Sequence, residues 1–238
     1  MLTNVLKSAP ISYVKWDMNR NMTEIGSPAW PAKKQKEVAH RYMLGLYKIL
    51  ENITTNFPNI LFESCSGGGG RFDGGMLYYM PQTWTSDDTD AIERLKIQEG
   101  TSLVYPVSTM GSHVSAVPNH QVHRRGVVAM AGSFGYELDI TKMTDEEKEE
   151  VKSQVKFYKN IRKTIQFGDL YRLKSAFDSN EAAWMNISKD GNNLVVSYVK
   201  KYAEANVLPK RLKLKALDEN SLYEISETWE VFGGDELM

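Results

Sequence analysis

The chain has 238 residues, with 29 Lys plus Arg against 30 Asp plus Glu, a formal net charge of −1; this balance excludes the basic footprint of a nucleic-acid binder or an anionic-membrane binder. At 42% hydrophobic and 25% charged residues the composition is that of a globular protein and excludes a disordered chain, and no uninterrupted apolar run approaches the ~20 residues of a membrane helix. The single cysteine, Cys65, excludes an intrachain disulfide and a multi-cysteine metal site; with no basic-then-apolar leader at the start, a reducing, cytoplasmic setting is expected.

Residues 11–17 are rich in β-formers and end on a charge, which predicts a buried strand with a functional tip. Gly26, Pro28 and Pro31 make 19–31 a loop. From 33 to 53, Val38, Tyr42, Leu46, Ile49 and Ile53 recur at helical spacing. A strand over 60–65 runs into the glycine loop 66–71, and a short strand over 83–86 leads to Asp87-Asp88-Thr89-Asp90. Asp90 and Glu93 have capping-box spacing ahead of a helix reaching 103. Strands are expected over 104–117 and 133–140, with a helix over 122–131 between them. Thr144 followed by Glu147 starts a helix whose apolar face is Val151, Val155, Tyr158, Ile161 and Ile165.

Strand and helix thus alternate through residue 165, the pattern of an α/β fold with a parallel sheet. Lys15, Asp17, Cys65 and Asp87 all fall where strands end, as active-site residues of a (β/α)8 barrel do. From 166 the pattern changes to short alternating runs over 170–173, 183–188, 194–202, 212–217 and 222–225, separated by Asp/Asn/Ser/Gly turns. The chain therefore divides into a barrel-like part, 1–165, and an antiparallel β-sandwich part, 166–238.

Three clusters carry chemistry. In Lys15-Trp16-Asp17-Met18-Asn19-Arg20, cations flank a carboxylate and favour its ionised form; the cluster is either a nucleophile or a salt-bridged strand end. Asp87, Asp88 and Asp90 repel one another, which favours a protonated member able to act as a general acid; helix capping explains one Asp but not three. Cys65-Ser66-Gly67-Gly68-Gly69-Gly70-Arg71 lets backbone approach a ligand closely, without the Lys-Ser/Thr of a phosphate loop. Trp16, Trp30 and Trp84 suit either sugar stacking or core packing. His40, His113, His120 and His123 form no metal-ligand frame, so structural or pocket-lining roles are expected. Two carboxylate clusters at different strand ends point to two-carboxylate glycoside chemistry.

These motifs, with Ser112-His113-Val114-Ser115, Pro118-Asn119-His120-Gln121, Gly132-Ser133-Phe134-Gly135-Tyr136-Glu137 and the tail Gly234-Asp235-Glu236-Leu237-Met238, resemble bacterial α-galactosidases of glycoside hydrolase family 36, in collinear order along essentially the whole chain. The resemblance implies retaining hydrolysis of terminal α-galactosyl residues, from oligosaccharides such as melibiose and raffinose, by double displacement. It implies Asp17 as nucleophile and Asp87 as acid/base, with Asp88 the alternative; the two carboxyls should then lie about 5–5.5 Å apart. By the same resemblance Lys15, Asn19, Cys65, Gly67, Arg71, Trp84 and Asp88 are expected around the sugar. No cofactor or metal is implied, and full-length relatives are expected to be homo-oligomers. Galactosyl transfer, α-N-acetylgalactosaminidase activity or non-catalytic carbohydrate binding remain alternatives on the same scaffold.

Family members are longer. By this resemblance the strand of Asp17 is the fourth barrel strand and that of Asp87 the sixth. The first three strands are then expected upstream of Met1 and the rest of the sandwich beyond Met238, making this a partial chain whose activity alone is open.

Overall fold

The structure, a computed structural model, describes residues 1–20, 22–116, 122–206 and 208–238; the Pro118-Asn119-His120-Gln121 motif lies outside the described residues. The chain forms two compact units: Met1–Asp87 with Thr109–Gly111, and Asp88–Ser108 with Ser112–Met238.

The first unit contains α1 (Leu2–Ser8), β1 (Tyr13–Asp17), a 3-10 turn (Ala32–Glu37), α2 (Val38–Asn56), β2 (Leu61–Cys65), α3 (Gly74–Tyr79) and β3 (Gln82–Trp84). β1 pairs in parallel with β2, and β2 with β3, in the register Lys15↔Glu63↔Gln82, Trp16↔Ser64↔Thr83 and Asp17↔Cys65. Register partners in parallel strands share a face, and faces alternate along each strand. One face therefore carries Val14, Trp16 and Phe62. It packs with Leu6 of α1, Leu46, Leu50 and Ile53 of α2, and Met76 and Met80 of α3. The opposite face carries Tyr13, Lys15, Asp17, Glu63, Cys65, Gln82 and Trp84. The helices thus cover an apolar face and leave a face of polar and ionisable groups for chemistry.

The helical periodicity of α2 is as expected, but its buried residues are Leu46, Leu50 and Ile53, while Tyr42 and Ile49 are exposed. Glycine-rich sequence concealed α3, which starts where the Asp73 carboxylate accepts from Met76 N–H at 2.7 Å.

α4 (Ala91–Ser102) opens the second unit. Asp90 caps it through Ile92 and Glu93 N–H, at 2.8 and 3.2 Å. β4 (Met110–Ser115) begins in the first unit, where Thr83↔Met110 and Trp84↔Gly111 continue the parallel pairing. It is shorter than the expected strand because Val107–Thr109 forms a 3-10 turn. α5 (Val122–Ala129), β5 (Ser133–Glu137) and α6 (Asp145–Phe167) follow, and Thr144 and Glu147 make a reciprocal capping box at the start of α6. The parallel strands form one five-stranded sheet in chain order, β1-β2-β3-β4-β5.

Beyond α6, β6 (Asp169–Lys174), β7 (Glu181–Ile187) and β8 (Leu194–Lys200) form an antiparallel sheet; β9 (Leu222–Ile225) pairs with β10 (Glu230–Gly233), ahead of α7 (Gly234–Leu237). The expected strand over 212–217 is absent. Leu214 and Leu217 do join the core around Met185, but Leu214 N–H bonds to the Leu237 carbonyl at 2.8 Å and Ala216 takes φ 55°. Side-chain alternation survives there without a strand ladder. No helix among the described residues is long and apolar enough to cross a membrane.

Candidate active site

The site is built on the polar face of β1–β3, within the first unit. Asp17 ends β1 opposite Cys65, the last residue of β2. The Cys65 thiol donates to the Asp17 carboxylate; with the Asn19 amide and the Lys15 charge, it outweighs partial desolvation and holds Asp17 below the usual carboxylate range. Burial, reinforced by the Asp17 carboxylate, pushes the Cys65 thiol up. Such a thiol is a donor rather than a nucleophile.

Asn19 reaches both ways. Its Nδ2 donates to Asp17 Oδ2 at 2.7 Å, and its Oδ1 accepts from Gly67 N–H at 2.7 Å. A Cβ on Gly67 would stand 4.0 Å from Asn19 Oδ1 and 4.0 Å from Asp87 Oδ2. Asn19 and Asp87 therefore flank the same glycine, and Asn19 in turn holds Asp17.

The glycines make this approach possible. Gly67 and Gly68 take φ of 54° and 86°, a region costly for other residues. A Cβ on Gly68 would come within 2.6 Å of Ser86 Cα and 3.2 Å of Asp87 N. Backbone thus packs directly on backbone, bringing the loop after β2 against the segment that presents Asp87. Ser66 Oγ donates to the Met18 carbonyl at 2.7 Å, tying that loop to the end of β1. Arg71, buried, points behind the site: its guanidinium donates to the carbonyls of Cys65 at 2.8 Å and Trp16 at 3.1 Å, clamping the two strand ends.

Trp84 is 3% exposed, and its Nε1 donates to Asp87 Oδ1 at 3.1 Å. The Lys15 ammonium lies 4.8 Å from the centre of the Trp84 ring and 3.8 Å from Glu63 Oε1. Gly111 leaves room for the indole, since a Cβ there would stand 3.3 Å from Trp84 Cε3. Trp16 packs into the helix-side core, and Trp30 stacks under Arg41 at 4.9 Å.

The three neighbouring acids separate. Asp87 serves the Trp84 indole and Asp90 caps α4, while Asp88, in the second unit, accepts from Asp90 N–H at 3.0 Å. Also in the second unit, burial pushes the Arg94 guanidinium down to about 10, against the opposing charges of Asp88 and Glu137. His113 and His123 bond to Glu137 and Glu150 at 3.0 and 3.1 Å. Among the described residues no three His, Cys, Asp or Glu side chains gather as a metal site. Glu63, Tyr13 and Gln82 carry no mark in the sequence motifs; for Tyr13 the alternation with Lys15 and Asp17 is the available signal.

The melibiase family model matches residues 1–168, and the glycosyl hydrolase family 36 C-terminal domain model matches 181–238. The chain is 65% identical to α-galactosidase AgaA of Geobacillus stearothermophilus over 243 aligned residues, and 54% identical to α-galactosidase Mel36A of Lactobacillus acidophilus, covering 100% of this chain and 33% of each relative. It spans about a third of their length. A crystal structure of AgaA matches with TM-score 0.94 at 64% identity, over 100% of this chain and 34% of that one. Two further AgaA structures contain raffinose and stachyose; each carries a substituted aspartate, to Asn in the first and to Ala in the second. The five-stranded parallel sheet is thus the second half of the (β/α)8 barrel, followed by part of the C-terminal β-sandwich.

Proposed function

The chain belongs to the melibiase family, glycosyl hydrolase family 36, and from that premise we propose that it carries both catalytic aspartates of a retaining α-galactosidase. Gly67, which lies against Asp87 and is tied to Asp17 through Asn19, carries this reading. Asp17, kept ionised by Cys65, Asn19 and Lys15, attacks the anomeric carbon. Asp87 protonates the departing glycosidic oxygen, then takes a proton from the water that releases galactose. The two substituted aspartates in the raffinose and stachyose complexes of AgaA lie 70 positions apart in that protein, the separation of Asp17 and Asp87 here, which supports this pairing over one using Asp88.

Lys15, Asn19, Cys65, Gly67 and Trp84 form the surroundings of the sugar in this reading, and Arg71 braces them from behind. The substrates are terminal α-galactosides of the melibiose and raffinose type. Residues 1–165 form the catalytic barrel part and 166–238 the sandwich part, a division supported by the break between the two family matches. The free Cys65 thiol favours a reducing, cytoplasmic location, and homo-oligomeric assembly is read for the full-length relatives.

The test is hydrolysis of an aryl α-galactoside. It is run on the 238-residue chain and on that chain fused behind the segment preceding the match in AgaA. Release of α-galactose as first product, abolished by Asp17→Asn, is expected. Release of β-galactose, or activity unaffected by Asp17→Asn, refutes the reading.

A further inference from the structure

Below the row holding Asp17, Cys65 and Trp84, the polar face carries a second row of register partners, Lys15, Glu63 and Gln82. Glu63 is 0% exposed. The Tyr13 hydroxyl and Gln82 Nε2 (2.7 Å) both donate to its Oε2. Oε1 makes no hydrogen bond, and the Lys15 ammonium faces it at 3.8 Å. A buried carboxylate oxygen without a donor is costly unless a cation compensates it. Lys15 is the cation that does so, and the same ammonium sits over the Trp84 ring, whose indole bonds Asp87.

We propose that Glu63 is a positioning residue for the glycosidic reaction: fixed by Tyr13 and Gln82, its carboxylate anchors the Lys15 ammonium between itself and the Trp84 indole. The proposal rests on the α-galactosidase reading above. Lys15 has a flexible four-carbon stem and, unanchored, would sample many rotamers. The anchor spends part of the ammonium's charge on Glu63, which limits how strongly Lys15 acts on Asp17. The groups facing Asp17 are the Cys65 thiol from β2, the Asn19 amide, the Met18 backbone and Lys15 from its own strand.

The experiment has two arms. In the first, the Lys15 ammonium, identified by its loss in Lys15→Met, is followed by nitrogen-detected NMR in the 238-residue chain, and Asp17 is titrated by its carboxyl carbon. Glu63→Gln is expected to abolish the protected Lys15 signal. It should also move the Asp17 midpoint to lower pH, since it removes a negative charge and frees Lys15 toward Asp17. In the second arm, Glu63→Gln is expected to lower kcat/KM about tenfold or more, the order seen for outer partners of site residues, and to move the acid limb of its pH profile down. A purely structural role would lower amplitude and leave the limb in place. Because Glu63 acts through Lys15, the double variant Lys15→Met/Glu63→Gln should lose no more than Lys15→Met alone.

If Glu63→Gln does not fold, Glu63→Asp, which keeps the charge but withdraws it, is read instead; a weakened Lys15 signal is expected. An unchanged Lys15 signal and Asp17 midpoint in a folded variant, or multiplicative losses in the double variant, overturn the proposal. Absence of hydrolysis by both the 238-residue chain and its fusion behind the preceding AgaA segment refutes the α-galactosidase reading; the NMR arm still decides the anchor.

Discussion

The indole Nε1 of Trp84 donates to Asp87 Oδ1 at 3.1 Å, so the last residue of β3 orients the carboxyl three positions later. The other oxygen, Oδ2, is thereby left toward Gly67. Trp84→Phe keeps most of the buried ring and removes only the donor. A hydrogen bond to an ionisable partner contributes about 1.5–3 kcal/mol, so kcat/KM for an α-galactoside should fall on the order of 10- to 100-fold. The melting temperature should change little. A loss of stability as large as the loss of activity would mean that the indole acts mainly in packing.

Azide separates the roles of the aspartates. In Asp87→Ala, an aryl galactoside with a good leaving group can still form the covalent intermediate on Asp17, but no base activates water. Azide needs no base and should restore turnover, giving α-galactosyl azide. In Asp17→Ala, azide enters the vacated space and displaces the aryl oxygen directly, giving β-galactosyl azide. Loss of Asp87 should cost about 10²–10⁴-fold with poor leaving groups. Asp88→Ala should hydrolyse without azide dependence; α-azide from that variant would transfer the acid/base role to Asp88.

Gly68 meets two constraints at once, a φ of 86° and a Cβ position 2.6 Å from Ser86 Cα. Gly68→Ala should therefore push the Ser86–Asp87 backbone away from the glycine loop. The backbone strain alone is on the order of 1–3 kcal/mol, and the displacement should remove most activity, since small misplacements of reacting groups cost about 100-fold. Gly74→Ala is the control, because its Cβ would meet nothing within 4 Å. Kinetics and thermal melting of the two variants distinguish displacement of Asp87 from general loosening; equal effects would remove the special role of Gly68.

Much of this arrangement was legible in the sequence because strand alternation encodes it. Tyr13-Val14-Lys15-Trp16-Asp17 alternates polar-tipped and apolar residues, and the structure turns the first set to the site and the second to the helices. The capping residues Asp90 and Thr144 start α4 and α6 where local hydrogen-bond chemistry requires. Tertiary terms hid the rest. The run 212–217 alternates because Leu214 and Leu217 insert into the core, yet its backbone partner is the tail at Leu237. Arg71 is expected around the sugar in support of the glycine loop, but nothing local marks the strand-end carbonyls of Trp16 and Cys65 as its partners. Glu63 carried no local signal, since its meaning comes from Tyr13 and Gln82 on neighbouring strands.

Cys65 sets the acid side of the pH profile. Its thiol is the leading cause of the low Asp17 pKa. Asp17 must be ionised to attack, so the acid limb of kcat/KM should lie below the ordinary Asp value of ~3.9. Cys65→Ala removes the donor, raises the Asp17 pKa and should move that limb to higher pH. The thiol, pushed up by burial, should react slowly with iodoacetamide in the native protein near neutral pH. An unmoved limb in a folded Cys65→Ala variant would show that Asn19 and Lys15 suffice to hold Asp17 ionised.

Glu181 gives the antiparallel part of the chain its own pH dependence. It is buried at the start of β7 and bonded to the ammonium groups of Lys174 and Lys210, the latter at 2.8 Å. Hydrogen bonds from these two lysines hold its carboxyl down to about 2. Unfolding releases it to the ordinary Glu value of ~4.3. The folded pKa is therefore the lower one, so the stabilisation is complete above about 4.3 and is lost as pH falls toward 2. Melting followed from pH 6 to pH 2 should show stability falling across that window. In Glu181→Gln the fall should be shallower and stability at pH 6 lower, because the variant leaves Lys174 and Lys210 without their shared anion. Parallel curves for the two proteins below pH 4.3 would mean that other carboxylates dominate the acid transition.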